Sequence, residues 1–263
     1  APEIGPAGAD GETEGDLPLM IAAFLSDIHG NLPALKAAVT DAEGKGAERF
    51  YCAGDLTGYG PFPSEVCRFA EKRGMTAILG NYDRKVLDAI EDPAAFEKTM
   101  KPAKWRILDW TRANLDIKAR RWLAALPPVH RETLPGGFEL LLVHGSAQSA
   151  DDAVYPSVTD RGLKAKLRGE KPDILACGHT HIPFVKRVGG VLVINCGSAG
   201  HPVDGDPRPA YALLRIAGTS KPSSRIVRFD YPKDQILAAL GKTSLPKSLS
   251  RDYEEGNKKR WMP

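Results

Sequence analysis

The chain has 263 residues, of which 42% are apolar and 26% charged, and that length can bury one large core or two small ones. Its formal net charge of +3 comes from 36 basic and 33 acidic residues, too even a balance for a strong nucleic-acid footprint. The nearest basic cluster, Lys258, Lys259 and Arg260, reads as a solvated chain end, and no apolar run is long enough to span a membrane.

Residues 1–19 are rich in Gly, Pro and acids and read as a flexible leader. Met20 to Ser26 is a continuous apolar run, the pattern of a strand buried on both faces. Pro33 suits the first turn of a helix that carries Leu35, Ala38, Val39 and Ala42 and ends at Gly44 or Gly46. A second strand is expected over Arg49 to Ala53, a helix from Pro63 or Ser64 to Gly74, and a third strand over Met75 to Leu79. This βαβαβ order predicts a parallel sheet with helices on its faces. Residues 84–126 read as a helical insertion of two or three helices, with Trp105, Trp110 and Trp122 as anchors. Strands return over Phe138 to Val143, Asp173 to Cys177, Ile182 to Val188, Val191 to Asn195, Ala210 to Ile216 and Ser224 to Phe229. Gly189-Gly190 predicts a hairpin, so the sheets are expected to be mixed. Short helices are expected near Lys164 to Arg168 and over Asp234 to Leu240. The expected domain is residues 20–241, followed by a C-terminal tail, 242–263. Cys52, Cys67, Cys177 and Cys196 show no CxxC spacing and read as reduced, packed side chains of a cytoplasmic protein.

Five stretches place Asp, Asn or His just beyond an expected strand. They are Asp27-Ile28-His29-Gly30-Asn31, Gly54-Asp55, Gly80-Asn81-Tyr82-Asp83, His144-Gly145 and Gly178-His179-Thr180-His181. Ligand sites in α/β sheets lie beyond the carboxyl ends of the strands, so the five loops can converge. Carboxylate with imidazole suits divalent manganese, iron, nickel or zinc. A single strand-end Asp is usually a cap or turn residue, and a lone His is usually structural. Five such loops in order outweigh that reading. His130 and His201 fall outside the pattern, and His130 reads as exposed.

These motifs resemble those of the calcineurin-like metallophosphoesterases: D-x-H, G-D, G-N-H-[DE], a His before Gly, and G-H-x-H. The resemblance runs from about Met20 to Ile216. Asp27-Ile-His-Gly-Asn31, Gly58-Tyr59-Gly60-Pro61 and Gly205-Asp206-Pro207-Arg208 resemble the compact prokaryotic branch, known for phosphodiesterase and phosphatase activity. It implies a four-layer α/β sandwich of two mixed sheets flanked by helices. It also implies two metal ions, one on Asp27, His29 and His181, the other on Asn81, His144 and His179, with Asp55 bridging both. Two departures stand out. Tyr82 takes the place of the His that protonates the leaving group beside Asp83, and it can act as acid or as packing. Cys196 takes the place of a Pro and is expected to pack.

A hydroxide shared by two ions would attack a phosphodiester, or a monoester, since the charge count allows both. Arg84 and Asn31 are candidates for substrate contact, although Asn31 can equally cap the first helix and Arg84 form a surface pair. Tyr59 is placed to line the cleft, and the loop Gly145 to Pro156 to border it. The expected partner is a small phosphoester or nucleotide. The alternatives are a non-catalytic scaffold of the same fold and a nuclease. Seven competent ligand positions weigh against the first, and the even charge against the second.

Overall fold

The computed structural model describes residues 19–256. The expected leader lies outside the described residues except for Leu19, as do Lys258, Lys259 and Arg260.

The expected βαβαβ unit is β1 (Leu19–Leu25), α1 (Leu32–Gly44), β2 (Arg49–Cys52), α2 (Pro63–Lys72) and β3 (Thr76–Ala77). The insertion holds four helices rather than two or three: α3 (Asn81–Glu91), α4 (Pro93–Thr99), α5 (Pro102–Ala113) and α6 (Ile117–Ala124). Each of the last three starts on a recognisable signal. Pro93 and Pro102 occupy first turns, and the Asp92 and Asp116 carboxylates accept backbone N–H bonds as caps. The second half comprises β4 (Val129–Leu134), β5 (Phe138–Val143), α7 (Asp160–Lys166), β6 (Ile174–Cys177), β7 (Phe184–Val188), β8 (Val191–Asn195), β9 (Ala210–Ala217), β10 (Ser223–Arg228), α8 (Lys233–Leu240) and α9 (Ser248–Glu255).

Two five-stranded sheets result, ordered β10-β9-β1-β2-β3 and β4-β5-β6-β8-β7. In the first, β1, β2 and β3 are parallel while β9 and β10 run antiparallel; in the second, β5, β6 and β8 are parallel between antiparallel β4 and β7. Strand alternation explains the layers. Ala22 and Phe24 of β1 meet Leu140, Leu142, Ile174, Ala176, Leu192 and Ile194 in the core between the sheets. Ala23 and Leu25 point the other way, into the helices over the first sheet. Leu141, Val143, Leu175 and Cys177 likewise pack with Leu163 of α7 and with Leu167 just past its end. The inner stretches of β1, β5, β6 and β8 are buried on both faces, which is why they read as apolar runs. The order is helices, sheet, sheet, helix: the expected four-layer sandwich.

The sheets are also tied by polar contacts. The Tyr51 ring stacks on Phe24 at 4.5 Å, and its hydroxyl donates to Glu132 at 2.9 Å. His130, expected to be exposed, lies half-buried on edge strand β4 and contacts the same carboxylate at 3.2 Å. The tryptophans of the insertion pack half-buried on the outer core. Cys196 is fully buried between the sheets, and all four cysteines are free. Residues expected as a tail form α9, with Leu249 and Tyr253 buried in the outer core. No helix among the described residues is long and apolar enough to cross a membrane.

Candidate metal centre

The parallel strands of both sheets end along one edge, and five of their loops meet there. Asp27 and His29 follow β1, Asp55 follows β2, Asn81 opens α3 just after β3, His144 follows β5, and His179 and His181 follow β6. Asp27, His29 and His181 form one group of potential ligand atoms within 4.8 Å of one another; Asp27, Asp55 and His144 form a second. Asn81 and His179 close the second group. The Asn81 carbonyl lies 3.1 Å from His144 Nε2, and His179 Nδ1 lies 3.3 Å from the same atom.

The loops reach these positions through unusual backbone. Asp27, His29, Asp55, His179 and His181 all have φ between 49° and 65°, and Tyr59 joins them at 59°. Left-handed conformations cost non-glycine residues of order 1–2 kcal/mol each, and they persist where the surroundings over-determine them. Asp27 N–H donates to the Gly54 carbonyl at 3.0 Å and His29 N–H to the Asp55 carbonyl at 2.9 Å, so the first two loops brace each other. Gly80 must lack a side chain: a Cβ there would lie 2.1 Å from Asp55 Oδ1 and 2.2 Å from the Asp55 amide nitrogen.

The donor set fits cations on three counts. First, His29, His144 and His181 each donate Nδ1–H to a backbone carbonyl, of Thr57 (3.0 Å), Ala53 (2.7 Å) and His201 (2.6 Å) respectively. Those bonds turn the Nε2 lone pairs toward the centre. Second, lone-pair atoms face each other: His29 Nε2 and His181 Nε2 are 3.2 Å apart, and His181 Nε2 and Asp27 Oδ1 are 3.1 Å apart. Bonds of about 2.1 Å to a shared ion put neighbouring ligand atoms at roughly this spacing. Third, Asp27 Oδ1 is buried with no hydrogen-bond partner, whereas Oδ2 accepts His179 N–H at 2.9 Å.

Without ions the charges arrange themselves around the carboxylates. Burial raises the Asp27 and Asp55 carboxyl groups, but the surrounding histidines outweigh it and hold both below the usual range. Burial, aided by His181, lowers His29 to about 3 despite Asp55 and Asp27. His144 is raised to about 10, because its contacts with Asp55, 3.5 Å away, override burial. Burial, then His144, lowers His179.

The expected catalytic and substrate residues divide. Tyr59 and Tyr82 line the cleft with His29, Asp55, Asn81, His179 and His181. Tyr82 meets the His29 ring edge-on at 5.9 Å and the Tyr59 ring at 5.0 Å. Burial raises both phenols, Tyr59 to about 12 and Tyr82 well above 10. Asp83 does not face the cleft chemistry. Its oxygens accept from the N–H groups of Leu56, Thr57 and Gly80 and from the Thr57 hydroxyl, clamping the Asp55 loop. Asn31 is fully buried; it caps α1 through Ala34 N–H and donates to the Gly200 carbonyl. Arg84 is exposed and stands outside the cleft lining, where Lys85 takes the place expected for it. In the loop after β5, Asp151 accepts from Asn81 Nδ2 at 2.7 Å and from Lys85 at 3.2 Å, while Asp152 turns to Ser146 and Lys166.

His201 is the residue whose place the motifs gave no sign of. It is buried, stacks on Tyr59 at 4.8 Å, holds His181 through its carbonyl and faces Asp252 of α9 at 3.4 Å. Helix α9 therefore supports the centre from beneath.

With this geometry, the relatives of the chain can be named. A model of the calcineurin-like phosphoesterase superfamily domain matches residues 20–219. An uncharacterized protein of Methanocaldococcus jannaschii is 27% identical over 244 residues, 86% of this chain and 94% of its own length. The phosphodiesterase YfcE of Escherichia coli is 24% identical over 198 residues, 74% of this chain and 88% of that protein. Among solved structures, a metallophosphoesterase from Sphaerobacter thermophilus (24% identity, TM-score 0.72) and a hypothetical protein from Pyrococcus horikoshii (23%, 0.81) each cover 91% of this chain and are themselves covered in full. At those identities the structural likeness speaks for the fold alone. The family match spans most of the chain, and the Asp and His side chains are arranged to bind metal. The chain thus belongs to the calcineurin-like phosphoesterase superfamily and is a metallophosphoesterase, a hydrolase of phosphate ester bonds.

Proposed function

We propose that the chain is a two-metal phosphodiesterase, able also to take monoesters, with Asp27, His29 and His181 holding one ion, Asn81, His144 and His179 the other, and Asp55 shared. The observation that carries this reading is the place of Asp55. Its Oδ2 lies 3.7 Å from His29 Nε2 and 3.5 Å from His144 Nε2, between the two halves of the ligand set. When bound, divalent ions of the manganese, iron, nickel or zinc type supply an activated water and neutralise charge on the phosphoryl oxygens. The residues of the chain do the rest. The carbonyls of Ala53, Thr57 and His201 fix the imidazole tautomers, and the Asp151 carboxylate turns the Asn81 amide so that its carbonyl faces His144. Tyr59 and Tyr82 line the cleft beside the donor atoms. The test is an activity panel with each metal, comparing an aryl diester, an aryl monoester, cyclic nucleotides and short oligonucleotides. Diester hydrolysis that rises with added metal supports the proposal. Absence of turnover with every metal favours the scaffold, and a preference for oligonucleotides the nuclease.

Two expected results follow from the charge pattern. His144 carries a proton near neutrality in the metal-free chain because it is raised to about 10, whereas His29, at about 3, does not. Loading must displace the His144 proton, so apparent metal affinity should rise as the pH is raised from 6 toward 9. Calorimetry in buffers of different ionisation enthalpy should show net proton release, and uptake or no exchange would contradict this protonation state.

Tyr82 is proposed to act by packing rather than as the leaving-group acid. A phenol raised well above 10 gives up its proton reluctantly, and its ring props His29. Tyr82→Phe should keep kcat/KM within about threefold, even on a diester with a poor leaving group. Tyr82→Ala should weaken metal binding by about 10–100-fold, the range for removing a support of a ligand. A loss above tenfold in Tyr82→Phe, confined to poor leaving groups, would restore the acid role.

A further inference from the structure

The cleft beside the donor atoms has a second wall that hydrolysis itself does not use. It is a cavity of about 200 Å³, and its far side is built from Lys85 of α3 and from Met100, Lys104 and Ile107 of the helical insertion. Lys104 and Ile107 are three apart on α5, so they share a face, and Met100 lies in the turn before that helix. The two lysines differ in charge balance. Lys85 is matched by Asp151 at 3.2 Å, which Asn81 also holds. Lys104 is exposed and enters no ion pair among the described residues. An unmatched cation beside two apolar side chains suits a ligand in which a negative group is joined to an apolar body.

We propose that this wall selects the substrate: a phosphoester with a second phosphate, carried on an apolar or aromatic-bearing body, that Lys104 binds while Met100 and Ile107 pack against the body. This rests on the proposed phosphodiesterase function for its reaction but not for its binding. A terminal phosphate carries a charge of about −1.5 to −2 at neutral pH, so a lysine point charge gains more from it than from a single carboxylate.

Binding and turnover test it separately. Binding is measured by calorimetry on the metal-loaded protein with thymidine 5′-phosphate and thymidine 3′,5′-bisphosphate, which differ only in the distal phosphate. Turnover is compared on the 5′-(4-nitrophenyl) esters of the same two compounds. The protein should favour the bisphosphate form by roughly three- to fivefold, the upper end of the range for one exposed charge contact. Lys104→Met should shrink that ratio to below about twofold, and Lys104→Glu should invert it. Arg106→Met removes a charge from the same helix outside the cleft and should leave the ratio as in the parent. Thermal melts of the variants check folding. No preference in the parent protein, or an equal loss in the Lys104 and Arg106 variants, overturns the proposal. If the bisphosphate preference holds while neither ester turns over with any metal, the phosphodiesterase reading fails and the binding wall stands.

Discussion

Asp55→Asn should lower hydrolysis of an aryl diester by about 10³-fold or more and halve the metal content or worse, because it removes a carboxylate placed between the two halves of the site. The amide keeps the shape, so the fold should survive. Asp55 Oδ1 accepts the Tyr82 N–H at 2.8 Å, a bond that an Asn carbonyl can still accept. What is lost is the charge at Oδ2, set between His29 and His144. A second consequence separates this variant from simple unfolding. His144 is held near 10 mainly by Asp55, so in the metal-free variant its pKa should fall. NMR titration of the imidazole signals reads that directly. Unchanged metal content together with an unchanged rate would remove Asp55 from its proposed role.

Gly80→Ala should be nearly as damaging, by a steric route. Gly80 has φ −81° and ψ 172°, a conformation that alanine adopts freely, so backbone strain does not enter. The obstacle is space: the new Cβ would lie 2.2 Å from the Asp55 amide nitrogen, and backbone cannot swing aside as a side-chain tip can. Either the Asp55 loop or the start of α3 must move. The first shift displaces Asp55 and the second displaces Asn81, so a proposed ligand is displaced either way. Overpacking of this kind costs about 1–3 kcal/mol of stability. Activity should drop by about 10²-fold, the scale for ligands misplaced by an ångström. Chemical denaturation and metal analysis check the two parts. A variant with parental metal content and stability would show that the close approach is not required.

Much of the site could be read in the sequence because parallel strands make it readable. A strand buried on both faces must be apolar throughout, so the first polar residues after β1, β5 and β6 stand out, and they are the ones the sheets bring together. Other parts carried no such mark. Strand β4 is an edge strand with polar residues on its open side, so Val129-His130-Arg131-Glu132 shows no clean alternation. Helix α9 offers only Leu249 and Tyr253, one turn apart among charges, and its burial depends on where the chain returns. Arg84 against Lys85 is a question of helix register. Helix α3 begins at Asn81, which places Lys85 four residues on and over the same edge of the cleft, whereas Arg84 is turned out to solvent. Lys104 and His201 reach the site only through tertiary packing, by the fold-back of the insertion and by the loop between β8 and β9, and no local spacing announces either.

The left-handed backbone at five of the proposed ligands has a consequence for how such a chain can change over time. At Asp27, His29, Asp55, His179 and His181, a glycine would relieve the local strain that the side chain imposes. Replacement by glycine would thus trade chemistry for a more relaxed loop, and the same sandwich could persist as an inert, sturdier molecule. Retaining Asp and His at all five positions works against the stability of the empty fold. Only a function that needs those side chains together offsets that standing disadvantage.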